Sequence, residues 1–267
     1  NVAIGYLALS AETLGDRNVA IGYNALSTQN NTSDADTYNV AVGYDAGAAV
    51  TLGIHNTLIG GLAGDALTTG FNNVAIGKGA LSKATTSDFN TAVGYLALED
   101  YNDSDSNGHN TAVGSKSQLN ATTGEFNTSL GSLSMGSGVT TGDANTALGY
   151  QAGKALTSGA ANVFVGGHAG DAITSGGRNI AMGYAALSTE DAHGRNTAIG
   201  HQALTTQNAG ADAYNVAVGY DAGVLVTTGI KNTLLGGLAG DSLTTGSTNV
   251  AIGYDALSTE DAGSGSV

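Results

Sequence analysis

One glycine column constrains this chain more than any other feature of it. A pentad built on Asn-(Val/Thr/Ile)-Ala-(Ile/Val/Leu)-Gly starts at Asn1, Asn18, Asn39, Asn56, Asn73, Asn90, Asn110, Asn127, Asn145, Asn162, Asn179, Asn196, Asn215, Asn232 and Asn249, and its fifth residue is always Gly. Most successive pentads lie 17 residues apart and the rest 18 to 21, so the extra residues sit in insertions between intact units. Self-similarity at such a period marks a repeat array, in which no unit can bury its apolar side alone. At Gly22, Gly77, Gly149 and Gly253, as throughout the column, a side chain is expected to be forbidden. Three residues on stands a second small column, with Ala8, Ala25 and Ala46 in the first units and Ser117 and Ser134 midway, where backbone also approaches closely.

The second and fourth pentad residues, such as Val19 and Ile21, are branched and apolar while the third and fifth are small, which is the alternation of a strand. Helix competes poorly, because 42 glycines would each cost roughly 1 kcal/mol in helix interiors. A second apolar pulse, as in Ala66 to Gly70 and Ser242 to Gly246, predicts a second short strand and a second turn in every unit. The chain is therefore expected to be an all-β parallel β-solenoid of about fifteen coils, each of about 17 residues. Coils stacked at about 4.8 Å would give a rod of roughly 70 Å. A single repeat domain is expected over 1–262, with a flexible Gly/Ser tail over 263–267. The leading Asn of each unit, Asn18, Asn73, Asn145 and Asn249 among them, is read as a structural ladder at a turn where Asn tolerates unusual backbone angles.

Formal charge is −14, from 22 acids against 8 Lys plus Arg, with no basic run, so nucleic acid is not an expected partner. Without Cys, neither disulfides nor a thiolate-bound metal holds the fold. No stretch of 18 apolar residues suggests membrane insertion by this segment, and the chain opens in mid-pattern without Met, as a fragment of a longer fibre would. Aromatic residues are only 6%, so the coil must be thin, and thin solenoids gain stability by packing against copies of themselves. A homo-oligomer, most simply threefold, is the expectation.

The pentads Asn18 to Gly22, Asn73 to Gly77 and Asn249 to Gly253 read Asn-Val-Ala-Ile-Gly and resemble the head repeats of YadA-like trimeric autotransporter adhesins. Longer forms at Asn145 to Gly153 and Asn196 to Leu204 are also similar to repeats of phage and bacterial tail-fibre-like proteins. The resemblance implies a left-handed parallel β-roll in an intertwined homotrimer. It also implies an extracellular place, on a bacterial outer-membrane surface or a phage virion, and attachment to a protein or glycan receptor on a cell or in matrix. The adhesin repeat is commonly near fourteen residues, whereas this unit is 17 and carries an added Tyr and a Thr-Thr-Gly turn.

Insertions carry acidic loops, and variable loops on a rigid scaffold are where recognition tends to reside. Asp34, Asp36 and Tyr38, then Tyr101, and then Asp212 and Tyr214 are the candidate recognition residues. Asp103, Asp105 and Asn107 followed by Gly108 match the first half of a calcium loop, with oxygen ligands at alternate positions. Position twelve is Gly114 rather than the bidentate Glu such loops end on, and no other cofactor is implied. Tyrosines follow the invariant Gly at Tyr6, Tyr23, Tyr44, Tyr95, Tyr150, Tyr184, Tyr220 and Tyr254, a stripe suited to an interface or to ligand contact.

Thr pairs such as Thr68-Thr69 and Thr244-Thr245 offer the alternative of an ice-binding array, and a purely structural spacer is the third reading. The five His fall at different repeat offsets and no catalytic pattern appears, so no enzyme is expected. Asn39 to Gly47 returns identically at Asn215 to Gly223, and Asn56 to Gly70 returns at Asn232 to Gly246 with two changes, so a block of coils was duplicated.

Overall fold

The computed structural model describes residues 1–31, 36–103, 107–259 and 261–266, in two compact units, Asn1–Ser132 and Leu133–Val267. The first unit carries β1 (Val2–Ile4), β2 (Val19–Ile21), β3 (Val40–Val42), β4 (Thr57–Ile59), β5 (Val74–Ile76), β6 (Thr91–Val93), β7 (Thr111–Val113) and β8 (Thr128–Leu130). The second carries β9 (Thr146–Leu148), β10 (Val163–Val165), β11 (Ile180–Met182), β12 (Thr197–Ile199), β13 (Val216–Val218), β14 (Thr233–Leu235) and β15 (Val250–Ile252). Within each unit every strand pairs in parallel with the next in chain order, which makes each a β-solenoid with one strand per turn. Insertions leave the register untouched: Val19 faces Val40 across 21 residues, and Thr197 faces Val216 across 19.

Each coil has one strand, not the two expected. The second apolar pulse is a chain of turns, because three positions per coil besides the invariant Gly take positive φ and break any extended run. In the second coil these are Asn24 (φ 57°) and Leu26 (φ 47°), with Arg17 (φ 63°) just before the leading Asn. The inversions keep N–H groups aimed along the stack. Asn24 donates to the Tyr6 carbonyl (2.8 Å) behind it and Leu26 to Ala46 (3.1 Å) ahead of it. The backbone polar groups of the turns are thus satisfied by neighbouring coils, as buried peptide groups require.

The invariant Gly excludes a side chain on two counts. Gly60 has φ +132°, a region L-residues avoid, and a Cβ there would lie 2.6 Å from the Gly77 carbonyl oxygen of the next coil. Gly22, Gly77, Gly149 and Gly253 share the conformation, with φ between +130° and +139°.

The core is thin, as the low aromatic content implies. The third pentad residue points inward and is usually a fully buried Ala, as at Ala20, Ala41 and Ala75, packed on the second small column and on a Leu four residues beyond the Gly, such as Leu26 or Leu98. Three coils place a large residue at the inward strand position, and each is accommodated in the same way. Leu58 sits between Gly47 and Gly64, Phe164 between Gly153 and Gly170, and Leu234 between Gly223 and Gly240. These glycines occupy the places where other coils carry Leu26 or Leu98, so the inner volume is conserved by exchange.

Candidate functional site

The inward Ala leaves its branched neighbours facing out. In the first unit Ile59, Ile76 and Leu130 are exposed, and in the second Leu148, Met182 and Ile252. This strand face is bounded on one side by the residue after the invariant Gly and on the other by the residue before the leading Asn. Both borders carry aromatic stacks. Tyr6, Tyr23 and Tyr44 lie ring on ring at 5.3 Å, and Phe89, His109 and Phe126 at 4.8 and 5.2 Å. In the second unit Tyr150, His168, Tyr184, His201 and Tyr220 form a mixed run of edge-on and stacked contacts. The faces of Tyr6, Tyr23 and Tyr44 are thus partly taken up by one another and those of Tyr184 and Tyr220 by His201, while Tyr95 and Tyr254 are exposed.

None of the 22 acidic residues occupies the four outward columns, which are the residue before the Asn and the second, fourth and sixth of each unit. Five of the eight cations, Arg17, Lys78, Arg178, Arg195 and Lys231, do. In a chain at −14 these columns are free of acids, and two of their five cations, Arg17 and Arg195, are paired with Asp36 and Asp212. The pattern escapes a search for basic runs because the cations are spaced by whole coils.

The leading asparagines act inside the stack. Asn56 is fully buried; its Oδ1 accepts from the Asn73 backbone N–H (3.0 Å) and its Nδ2 donates to the Gly70 carbonyl (2.9 Å). Asn73, Asn145 and Asn249 make both kinds of bond, whereas Asn18 uses only its Oδ1, which accepts from the Asn39 N–H (3.0 Å), and its Nδ2 has no partner among the described residues. Asn is not the residue with the unusual backbone angle, as had been expected; the one before it is. Where an insertion displaces the paired carbonyl, as after Asn196, Nδ2 has no partner among the described residues. The expected tail is hydrogen-bonded too: Ser266 N–H donates to Asn249 Oδ1 (2.8 Å).

Two of the loops expected to serve recognition are built alike. Arg17 is ion-paired with Asp36, donates to the Tyr38 hydroxyl (2.6 Å) and lies 5.3 Å over that ring. Arg195 repeats this with Asp212, the Tyr214 hydroxyl (2.7 Å) and its ring at 5.2 Å. Each clasp ties the end of an insertion to the coil before it and leaves Tyr38 and Tyr214 about half exposed. The arginines went unremarked in the sequence, although the duplicated block puts one at the same place in both copies. Asp34 lies outside the described residues.

Tyr101 corrects the sequence reading. It is fully buried, because it is the twelfth residue of its coil, where Val50 and Leu67 also point into the core. It cannot present itself to a receptor. For the calcium segment, Asp105 lies outside the described residues, Asp103 is nearly buried and Asn107 is exposed and bridges to Asp88.

In Thr pairs such as Thr68-Thr69 and Thr227-Thr228 the first hydroxyl is used within the stack, Thr68 and Thr227 each donating to a carbonyl of the next coil (2.9 and 3.2 Å), as do Thr51, Thr157 and Thr174 at the same place in other coils. The second members Thr69, Thr228 and Thr245 are exposed. No enclosed cavity was found among the described residues. No protein-family model, curated protein or solved structure matches this chain.

Proposed function

We propose that this chain is a non-enzymatic segment of an extracellular fibre, of a bacterial surface adhesin or a phage tail, that assembles with copies of itself and displays its loops for attachment to a cell-surface or matrix receptor. The observation that carries the reading is the strand face. A fold that turns Ala inward and Ile, Val and Leu outward leaves an apolar band of the kind that marks an interaction surface. No acidic residue stands in its columns, and its five cations all lie in the two border columns, where Arg17 and Arg195 are already ion-paired, so the strand positions themselves carry no charge for packing to desolvate. A left-handed roll in a homotrimer is the assembly that the repeat motif favours. The clasped loops at Asp36 and Tyr38 and at Asp212 and Tyr214 stand at the edge of that face and remain available for a protein or glycan partner.

Light scattering of the purified chain tests the assembly. Three chains of 26.2 kDa would give about 79 kDa, and Ile59→Lys with Ile76→Lys is expected to return a folded monomer. A monomeric parent chain would overturn self-assembly. A glycan and matrix-protein array then tests attachment: a signal that is lost in a Tyr38→Ala, Tyr214→Ala double variant supports display by the clasped loops. Silence across the array leaves a spacer.

A further inference from the structure

The eleventh coil carries a group of side chains outside the strand face, in which the Glu190 carboxylate accepts from the His193 backbone N–H (3.2 Å) through one oxygen only. Glu190, Asp191 and His193 each bring one ligand atom within 4.8 Å of the others. Glu190 is fully buried, and its Oε2 has no hydrogen-bond partner, nor has the buried Nδ1 of His193. His193 Nδ1 lies 3.4 Å from Glu190 Oε1, about the spacing of two ligands on one tetrahedral zinc ion. Asp191 is exposed and opens the group to solvent.

The duplicated block supplies an internal control. Glu12 holds the same place in the first coil, and its carboxylate is fully occupied. Its Oε1 accepts from the backbone of Thr13, Leu14 and Gly15 at 2.7 to 3.1 Å. Its Oε2 accepts from Gln29 Nε2 (2.9 Å) and Asn31 Nδ2 (3.3 Å). In the later copy Asn31 is replaced by Ala209, and the Gln29 counterpart Gln207 leaves its Nε2 without a partner. Thr13 and Gly15 are meanwhile replaced by Asp191 and His193. One side-chain donor, the Asn31 amide, has been removed from around the carboxylate and another, the Gln207 amide, no longer bonds to it, while two further ligand groups have been added.

We propose that Glu190, Asp191 and His193 bind a divalent transition-metal ion of the zinc class. Mixed carboxylate and imidazole donors suit such ions. The frame is already held: Thr174 Oγ1 donates to the Asp191 carbonyl (2.8 Å), and Asn179 Nδ2 to that of His193 (3.2 Å). The buried Glu190 carboxylate keeps one oxygen unpartnered although the other accepts from the His193 N–H (3.2 Å). A bound cation supplies the missing counter-charge. The site is independent of the fibre reading, since it uses no residue of the strand face.

The test is titration of the full chain, stripped with chelator, with ZnCl2 by calorimetry and with CoCl2 by visible absorption. One equivalent is expected to bind, with Co2+ giving the d–d bands of a low-coordinate site. His193→Gly and Asp191→Thr, which restore the residues of the first coil, and Glu190→Gln should each weaken binding about tenfold or more. Circular dichroism checks the fold; should Glu190→Gln not fold, the two variants at less buried positions still decide the matter. Absence of saturable binding, or equal binding in all variants, overturns the site.

Discussion

Leu58 and Gly64 test whether inner volume is conserved by exchange. The Leu58 methyls fill the space above Gly47 and Gly64. A Cβ on Gly64 would lie 2.8 Å from Leu58 Cδ2, and one on Gly47 would lie 2.6 Å from Cδ1, so the side chain has no free direction in which to retreat. Leu58→Ala should cost about 3 kcal/mol, from lost burial and the cavity left behind. Gly64→Ala carries two costs. The φ of +55° adds about 1 kcal/mol, and overpacking against Leu58 adds about 2 kcal/mol.

In the double variant the overpacking vanishes and the new methyl refills part of the cavity, so the total should be about 4 kcal/mol rather than the additive sum of about 6. Equilibrium urea unfolding of the four proteins gives the coupling, near 2 kcal/mol in favour of the pair. Leu234 and Gly240 offer the same cycle in the second unit, again with a 2.8 Å approach. Costs that add to within about 0.5 kcal/mol would refute the exchange. So would a Gly64→Ala cost no larger than the backbone strain alone, since Ala144, Ala161 and Ala185 already hold φ of 52° to 57° in this chain.

Further outcomes follow from single contacts. Gly60→Ala should unfold its coil, because the Cβ meets the backbone of the next one, whereas Gly210→Ala, with φ +69° and nothing within 4 Å, should cost only about 1 kcal/mol; paired thermal melts compare them. Asn56→Ala should lose about 2–5 kcal/mol by stranding the Asn73 N–H and the Gly70 carbonyl, and Asn56→Asp should not rescue it, since an oxygen would then face Gly70. Arg195→Ala removes an exposed ion pair and should change urea stability by no more than about 1 kcal/mol. Burial raises the folded pKa of Glu190 above its unfolded value, so this carboxyl favours the folded chain when protonated, and that contribution is lost as pH rises through the raised value. In chelator, the advantage of Glu190→Gln over the parent chain should therefore grow from pH 4 to pH 7, and a constant difference in urea midpoint would contradict it.

The parts of the fold legible in the sequence are those where chemistry leaves one residue type. Gly60 and its column announce themselves because no other residue takes φ near +135° beneath a neighbouring backbone. The leading Asn was legible as a ladder, though not the direction of its two bonds. The missing second strand was not legible, since Leu26 at φ 47° looks in sequence like any strand leucine, and only the need to aim its N–H along the stack puts it there. Tyr101 misled because an insertion was read as loop from its first residue, when counting from Asn90 places it twelfth, in the core register of Val50 and Leu67. Arg17 and Arg195 were hidden by distance in sequence, 19 and 17 residues from the acids they clasp. The Glu190 group was hidden by subtlety: it is recognised by what Glu12 has and Glu190 lacks.

The position of the insertions bears on how the chain can vary. In the coils from Asn18, Asn90 and Asn196 the added residues follow Gln29, Tyr101 and Gln207, all fully buried. The thirteenth residue is still tied to the next coil, Asn30 donating to the Thr51 carbonyl, Asn102 to Thr122 and Asn208 to Thr227, so an insertion before it would break parallel register. After it the added residues leave the stack and the chain rejoins just before the next Asn, where Thr37 donates to the Asp16 carbonyl and where the Arg17 and Arg195 clasps lie. Growth is thus confined to one edge of the coil, while β3, β7 and β13 stay in register with the strands before them. A chain with this division can change its loops without altering the strand face, and can lengthen by whole blocks, as the duplicated coils show, without changing either. The self-assembly proposed for the face and the recognition proposed for the loops would then be free to change independently, which is the property the proposed fibre needs.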